Sequence, residues 1–153
     1  MSPRIFFRTV AIAEAVTWTL LIIGLILKYV VDAGDLGVRI GGSIHGFVFL
    51  VYAASAVVVG LNQRWSVPTI AAGVASAVIP YATIPFDVWA DRTGRLDGAW
   101  RIEQTDDPRD ARWFDRTLRW FLGHPVVFGA IFVVGVVVVF SALLVGGPPV
   151  PKG

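Results

Sequence analysis

The sequence predicts an all-α protein, a polytopic membrane helix bundle of four transmembrane helices with one interfacial amphipathic helix. Three observations support this fold class. Hydrophobic residues make up 56% of the 153 residues, and the mean hydropathy is +0.70, whereas soluble domains are only about 45–50% apolar. Four apolar runs have the length of about twenty residues that crosses a bilayer. Fourteen of the 24 formal charges are confined to residues 91–119. We interpret residues 1–153 as one integral membrane domain.

The predicted spans cover residues 9–29, 40–61, 67–86 and 125–145. Inside lipid, backbone polar groups must be satisfied within the segment itself, so each run is expected to be helical. The first two spans are joined by a short connector, residues 31–39, that is rich in Asp and Gly. Such a short connection predicts that these two helices pack antiparallel.

The third span contains two prolines that bear on its shape. Pro68 suits a first helical turn. Pro80 removes one helical hydrogen bond and clashes with the preceding turn, so it is expected to kink the helix. The first half of the span is rich in Ala, which favours close packing. We therefore expect a bent, closely packed spanning helix.

The charged region contains a second predicted element, an amphipathic helix over residues 107–122. Asp106 and Asp107 precede Pro108, a pattern typical of a helix N-cap followed by a first turn. Apolar and charged residues then fall on opposite faces, as in a helix that lies in the headgroup plane. A solvated helix packed on its own protein is an equal alternative. The fourth span, residues 125–145, has no ionisable residue and is rich in valine.

Four ionisable side chains lie within or at the edges of the predicted spans: Glu14, Lys28, His45 and Asp87. Such groups are costly in a membrane and by default suggest function. The alternatives are that Lys28 and Asp87 snorkel to the headgroups and that His45 makes a hydrogen bond between helices. If the first three spans alternate in direction, Lys28, His45 and Asp87 share one depth. We then expect Lys28 and Asp87 to pair, with His45 lining the same pocket and Glu14 toward the other face.

Two pairs of glycines are candidates for helix packing. Gly42 and Gly46 are four residues apart, so they lie on one face and allow another helix to approach closely. Gly129 and Gly135 lie in the fourth span, which is apolar on all sides and is therefore a predicted docking surface for a partner.

Several kinds of chemistry are not indicated. The chain has no Cys, which excludes disulfides and thiolate chemistry. Only His45 and His124 could supply imidazole, too few ligands for a metal site. There is no phosphate-binding loop and no nucleophile–base motif. We expect no enzymatic activity, no cofactor and no metal. The net charge of +2 is too small to favour nucleic acid.

A set of residues in the first three spans stands in a distinctive order and spacing: Phe7, Arg8, Ala11, Glu14, Leu27, Lys28, Tyr29, Gly42, His45, Gly46, Tyr52, Pro80 and Phe86. In this the chain resembles the domain of unknown function 3817 family, small integral membrane proteins of bacteria. The resemblance covers about residues 6–87, and Ala15 stands where the family has Gly. It implies a membrane location and a three-helix core, and it brings no accepted activity. The amphipathic segment and the fourth span lie outside it.

From these observations we expect an accessory or interaction subunit of a larger membrane complex, for example a respiratory or envelope-building one, in the bacterial plasma membrane. Its partners would be the lipid bilayer and either another membrane protein or a second copy. The alternative is a small proton- or ion-coupled carrier or channel that uses Glu14 and His45.

Four spans would place both termini, near Ser2 and Lys152, on one side of the membrane. Basic residues are enriched in cytoplasmic loops. With the termini outside, nine basic residues would be cytoplasmic and four would not, so we predict extracytoplasmic termini.

Overall fold

The computed structural model describes residues 1–146, apart from the side chain of Arg109, and this part of the chain is helical with no strand. It contains α1 (Pro3–Tyr29), α2 (Leu36–Asn62), α3 (Val67–Ser76), α4 (Thr83–Arg92), a 3₁₀ turn (Pro108–Ala111), α5 (Trp113–Gly123) and α6 (Pro125–Gly146). The predicted all-α class is confirmed. Three helices, α1, α2 and α6, are long and apolar enough to cross a membrane.

Helices α1 and α2 form the antiparallel pair that the short connector predicts. Helix α1 begins earlier than residue 9, because the Ser2 hydroxyl accepts a hydrogen bond from the Ile5 amide at 3.3 Å and Pro3 occupies the first turn. Serine at the N-cap and proline just after it are favourable helix starts. The core at this end of the pair is aromatic: the Phe7 ring lies 5.5 Å from Tyr52 and 5.6 Å from Trp65.

The third predicted span, residues 67–86, is not a single helix, so the prediction of four spanning helices is not confirmed. Helix α3 ends at Ser76 and α4 begins at Thr83, and each has ten residues. Between them Tyr81 has a left-handed backbone, with φ of 63°. Pro80 cannot continue a helical hydrogen-bond ladder, and the left-handed residue after it reverses the chain rather than bending it.

Contacts with α1 show the direction of each half. Trp65, just before α3, lies beside Phe7, whereas Ala77, just after α3, accepts a hydrogen bond from Trp18 at 3.2 Å. Thr83 then lies at Glu14, and the rest of α4 returns toward the start of α1. Helices α3 and α4 are therefore a hairpin, here called the α3–α4 hairpin, that enters and leaves at the same end of the bundle.

That end also holds the charged region, and we call it the arginine-rich end; it comprises the start of α1, the end of α2 and residues 92–124. The predicted amphipathic helix is present as α5, but it begins at Trp113 rather than at residue 107. The predicted N-cap is wrong: a 3₁₀ turn follows Asp107, and Arg112 is the N-cap residue without a side-chain cap bond. The helix carries exposed aromatic side chains, notably Trp113 and Trp120.

Helix α6 matches the fourth predicted span and runs away from the arginine-rich end. Phe140, in its second half, packs on Phe47 of α2 with ring centroids 5.8 Å apart. Because three rather than four helices run the length of the bundle, Met1 and Gly146 lie at opposite ends. The prediction that both termini share one side of the membrane is therefore not confirmed for these residues, and Lys152 lies outside the described part of the chain.

Candidate functional site

A line of charged and hydroxyl side chains runs between α1 and α4. We call it the polar seam, and it consists of Arg4, Arg8, Glu14, Thr83, Asp87 and Asp91. On α4 its members recur every four residues and so share one helix face. The seam forms because α4 runs antiparallel to α1, which brings the acidic residues of one helix to the basic residues of the other.

The half of the seam at the arginine-rich end is a network of ion pairs. Arg8 donates from Nε to Asp87 Oδ2 at 2.9 Å and from Nη2 to Asp91 Oδ2 at 2.7 Å. Arg4 Nε lies 2.7 Å from Asp91 Oδ1, and its Nη2 donates to Asp97. Hydrogen bonds between ionised partners are stronger than neutral ones, so these contacts hold α4 on α1.

The inner half of the seam ends at Glu14, which is 0% exposed. Its Oε2 lies 2.9 Å from the Thr83 hydroxyl, which is also 3.2 Å from the Ala11 carbonyl oxygen. Glu14 Oε1 is buried with no hydrogen-bond partner among the described atoms, and the same is true of Asp87 Oδ1. No described cation forms an ion pair with Glu14. A buried polar atom left unsatisfied costs about 1–3 kcal/mol.

His45 occupies a separate pocket between α1 and α2. Its Nδ1 lies 3.1 Å from the Thr17 hydroxyl, and its ring packs 4.3 Å from that of Trp18. When Thr17 donates its one proton to the Glu14 backbone carbonyl at 2.9 Å, His45 donates to it from Nδ1–H. The structure thus contains the hydrogen bond between helices that was one of the two interpretations of His45.

Lys28 does not join these groups. Its Nζ lies 5.2 Å from the Tyr29 ring at the end of α1, whereas Asp87 pairs with Arg8. Arg8 and Lys28 are separated by a distance of about 30 Å along α1. The predicted cluster of Lys28, Asp87 and His45 is therefore wrong, because the α3–α4 hairpin carries Asp87 to the opposite end of the bundle.

Arg8 and Thr83 were not among the candidate residues, although the sequence contains a signal for them. Basic residues four apart near the start of α1 match acidic residues four apart, Asp87 and Asp91. Such a match identifies facing helices once their relative direction is known.

The arginine-rich end holds a second ionic cluster, around Asp110. Arg64 pairs with both Asp107 and Asp110, and Arg119 lies 3.4 Å from Asp110. The Thr105 hydroxyl and amide donate to Asp110 at 2.6 and 2.8 Å. These hydrogen bonds, followed by the two guanidinium groups, lower the pKa of Asp110. The cluster fastens the segment before α5 to the end of α2.

The predicted packing glycines have different surroundings. An added Cβ would lie 3.7 Å from Leu21 at Gly42 and 3.4 Å from Phe140 at Gly46, both ordinary contacts between helices. The tightest approach to backbone atoms is at Gly24, which was not a candidate. Its Cβ would lie 2.6 Å from the backbone of Gly37.

Two apolar grooves flank α6, each of about 470 Å³. One lies between α6 and α2 and is lined in part by Gly135; the other lies toward the start of α1 and is lined in part by Gly129. An added Cβ at either glycine would meet nothing within 4 Å. Val136 is the one buried residue of α6, so most of this helix is free to contact lipid or another protein.

Comparison with known proteins places these helices in a family. A family described as a domain of unknown function (DUF3817) matches residues 5–92, which cover α1 from its third residue to the end of α4. A Streptomyces coelicolor protein, whose name describes it as a candidate membrane protein, is 44% identical over 91 residues. The match covers 59% of this chain but 11% of that protein, so the chain spans about a tenth of its length. No solved structure matches. The resemblance seen over residues 6–87 is confirmed: the chain is a membrane protein that belongs to the domain of unknown function 3817 family.

Proposed function

We propose that this protein is an accessory module of the bacterial plasma membrane that crosses the bilayer three times and docks on a larger membrane protein beside α6. The crossings are α1, α2 and α6. Helices α3 and α4 have ten residues each, or about 15 Å, half of a hydrocarbon core of about 30 Å. The α3–α4 hairpin would therefore be re-entrant. Its irregular tip is tolerable at that depth because the amides of Ala77, Val78 and Ile79 donate to carbonyl oxygens of α3. The exposed side chains there, such as Val78 and Ile79, are apolar.

Three crossings change the predicted orientation. Ten of the eleven arginines now lie at the arginine-rich end: Arg4, Arg8, Arg64, Arg92, Arg95, Arg101, Arg109, Arg112, Arg116 and Arg119. The opposite end has Lys28 and Arg39. Basic residues are retained in the cytoplasm, so the arginine-rich end and the N-terminus would be cytoplasmic. The expectation of extracytoplasmic termini depended on residues 67–86 crossing the membrane.

Cysteine labelling tests this orientation, and the chain has no cysteine of its own to interfere. A membrane-impermeant maleimide applied to whole cells is expected to label Ala33→Cys, in the α1–α2 connector, and to label Ala99→Cys only after lysis. Both side chains are exposed, so accessibility reflects the side of the membrane. Labelling of Ala99→Cys in intact cells would contradict the proposal.

The docking role rests chiefly on α6 and is supported by the relative. In the Streptomyces protein the matching segment is joined to a polypeptide about eight times its length. In this protein the family region is followed by α6, whose flanking grooves are open and apolar. We infer that α6 is the surface through which this chain contacts a larger membrane protein. The occupant of the grooves would be a transmembrane helix of a partner, since small residues let such helices approach closely.

Leucine substitution in α6 tests this role. Gly129→Leu and Gly135→Leu fill the two grooves and are expected to reduce recovery of a stoichiometric integral membrane partner from mild detergent by about tenfold, equivalent to about 1.4 kcal/mol. Val138→Leu is the control. Val138 is exposed, and the substitution adds bulk to another part of α6. Purification of the protein alone at native abundance, recovery only as a homodimer, or equal recovery with all three variants would contradict the proposal.

A further inference from the structure

We propose that Glu14 is a proton-binding site at mid-depth in the bundle, and that the polar seam connects it to the arginine-rich end. The first observation is that this buried carboxyl group has no charged partner among the described residues. It is 0% exposed, Oε1 has no hydrogen-bond partner among the described atoms, and no described cation pairs with it. A purely structural contact with Thr83 would need only a neutral acceptor. A proton needs no cavity, so a fully buried carboxyl group can bind one.

The second observation is that Thr83 can serve both protonation states of Glu14. Its hydroxyl lies 2.9 Å from Glu14 Oε2 and 3.2 Å from the Ala11 carbonyl oxygen. A hydroxyl has one proton to donate and can also accept. It donates to Glu14 when that side chain is a carboxylate. When Glu14 has gained a proton, the acid donates to Thr83, which then donates to Ala11. One proton is gained, no other covalent bond changes, and both states are hydrogen-bonded.

The third observation is a gradient of exposure from Asp97, which pairs with Arg4 just outside the seam, to Glu14 at its inner end. The side chain of Asp97 is 63% exposed, that of Asp91 is 21% exposed and that of Asp87 is 4% exposed, and Glu14 as a whole is 0% exposed. Asp87 Oδ1 is a second buried oxygen without a described partner, so it can hold a proton on the way. The seam is thus accessible to water at the arginine-rich end and inaccessible at Glu14.

Other titratable groups surround the site. On the seam itself, Arg8 and Asp87 lie toward the arginine-rich end. From α2, His45 faces the Thr17 hydroxyl that binds the Glu14 backbone, and Tyr52 is within electrostatic range of Glu14 and Asp87. The assignment of a proton to Glu14 therefore requires a signal specific to its carboxyl group.

Infrared difference spectroscopy of the full chain in phosphatidylcholine vesicles provides that signal. Between about pH 9 and pH 4, acidification is expected to produce a carboxylic acid carbonyl band that is missing in Glu14→Gln. In Thr83→Val the band should remain but change in frequency, because its hydrogen bond is lost. Identical difference spectra for the wild type and Glu14→Gln would overturn the site. If Glu14→Gln does not fold, an unchanged band in Thr83→Val overturns it instead.

The route is tested by the rate at which the band appears after a rapid pH drop. Asp87→Asn removes the intermediate carboxylate and is expected to slow the Glu14 band by about tenfold or more. Asp115→Asn removes a carboxylate at the same end but outside the seam, and should leave the rate unchanged. Equal rates in Asp87→Asn and the wild type would overturn the route, as would equal slowing by both variants.

Discussion

Replacing Arg8 with methionine is expected to lower the free energy of unfolding by about 3 kcal/mol. The change leaves Asp87, whose side chain is 4% exposed, without the cation that binds its Oδ2. Removing one partner of a buried ion pair costs about 3–5 kcal/mol, because the other charge stays buried and unpaired. The lower part of that range applies because the Arg8 side chain is 43% exposed, which lets water screen the pair.

A double-mutant cycle tests whether Asp87 pairs with Arg8 or with Lys28. Arg8→Met and Asp87→Asn should couple by about 1–3 kcal/mol, measured as free energies of unfolding in mixed micelles. Lys28→Met and Asp87→Asn should be additive, since Lys28 lies at the opposite end of α1. Arg39→Met is the control, an exposed arginine at the other end of the bundle, expected to change stability by less than about 0.5 kcal/mol. Additive effects of Arg8→Met and Asp87→Asn would contradict the ion pair.

The spans that could be predicted from the sequence are those in which an apolar run of spanning length forms one continuous helix. Residues 9–29, 40–61 and 125–145 lie within α1, α2 and α6. Residues 67–86 did not follow this rule, because hydropathy measures how apolar a run is and not whether it continues in one direction. The left-handed backbone of Tyr81, beside Pro80, depends on tertiary packing.

The same reversal explains which parts of the site were predictable. Glu14 and His45 were recognisable because ionisable groups rarely occur deep in an apolar helix. Their partners Thr83 and Thr17 were not, because hydroxyl residues are common in membrane helices and carry no signal alone. The partner of Asp87 depended on the direction of the helix that carries it. A helix that crosses the membrane would bring Asp87 to Lys28, whereas the α3–α4 hairpin brings it to Arg8.

The helix pair that supports the seam packs backbone against backbone at Gly24, and Gly24→Ala is expected to destabilise the protein by about 3 kcal/mol. The added Cβ would lie 2.6 Å from the carbonyl carbon and oxygen of Gly37 and 2.8 Å from the Val38 nitrogen. These are backbone atoms of α2, so no side chain can rotate away, and the two helices must separate along their contact. Because α4 binds α1, separation of α1 from α2 also moves the seam relative to His45.

Gly42→Ala is the matched control for this test. It makes the same chemical change in the same helix pair, but its Cβ would meet only Leu21 Cδ1, at 3.7 Å. Alanine is also favoured over glycine in a helix by about 1 kcal/mol, so Gly42→Ala should be neutral or stabilising. Both variants are compared by their free energies of unfolding in mixed micelles. If Gly24→Ala were no more destabilising than Gly42→Ala, the close packing of α1 on Gly37 would be disproved.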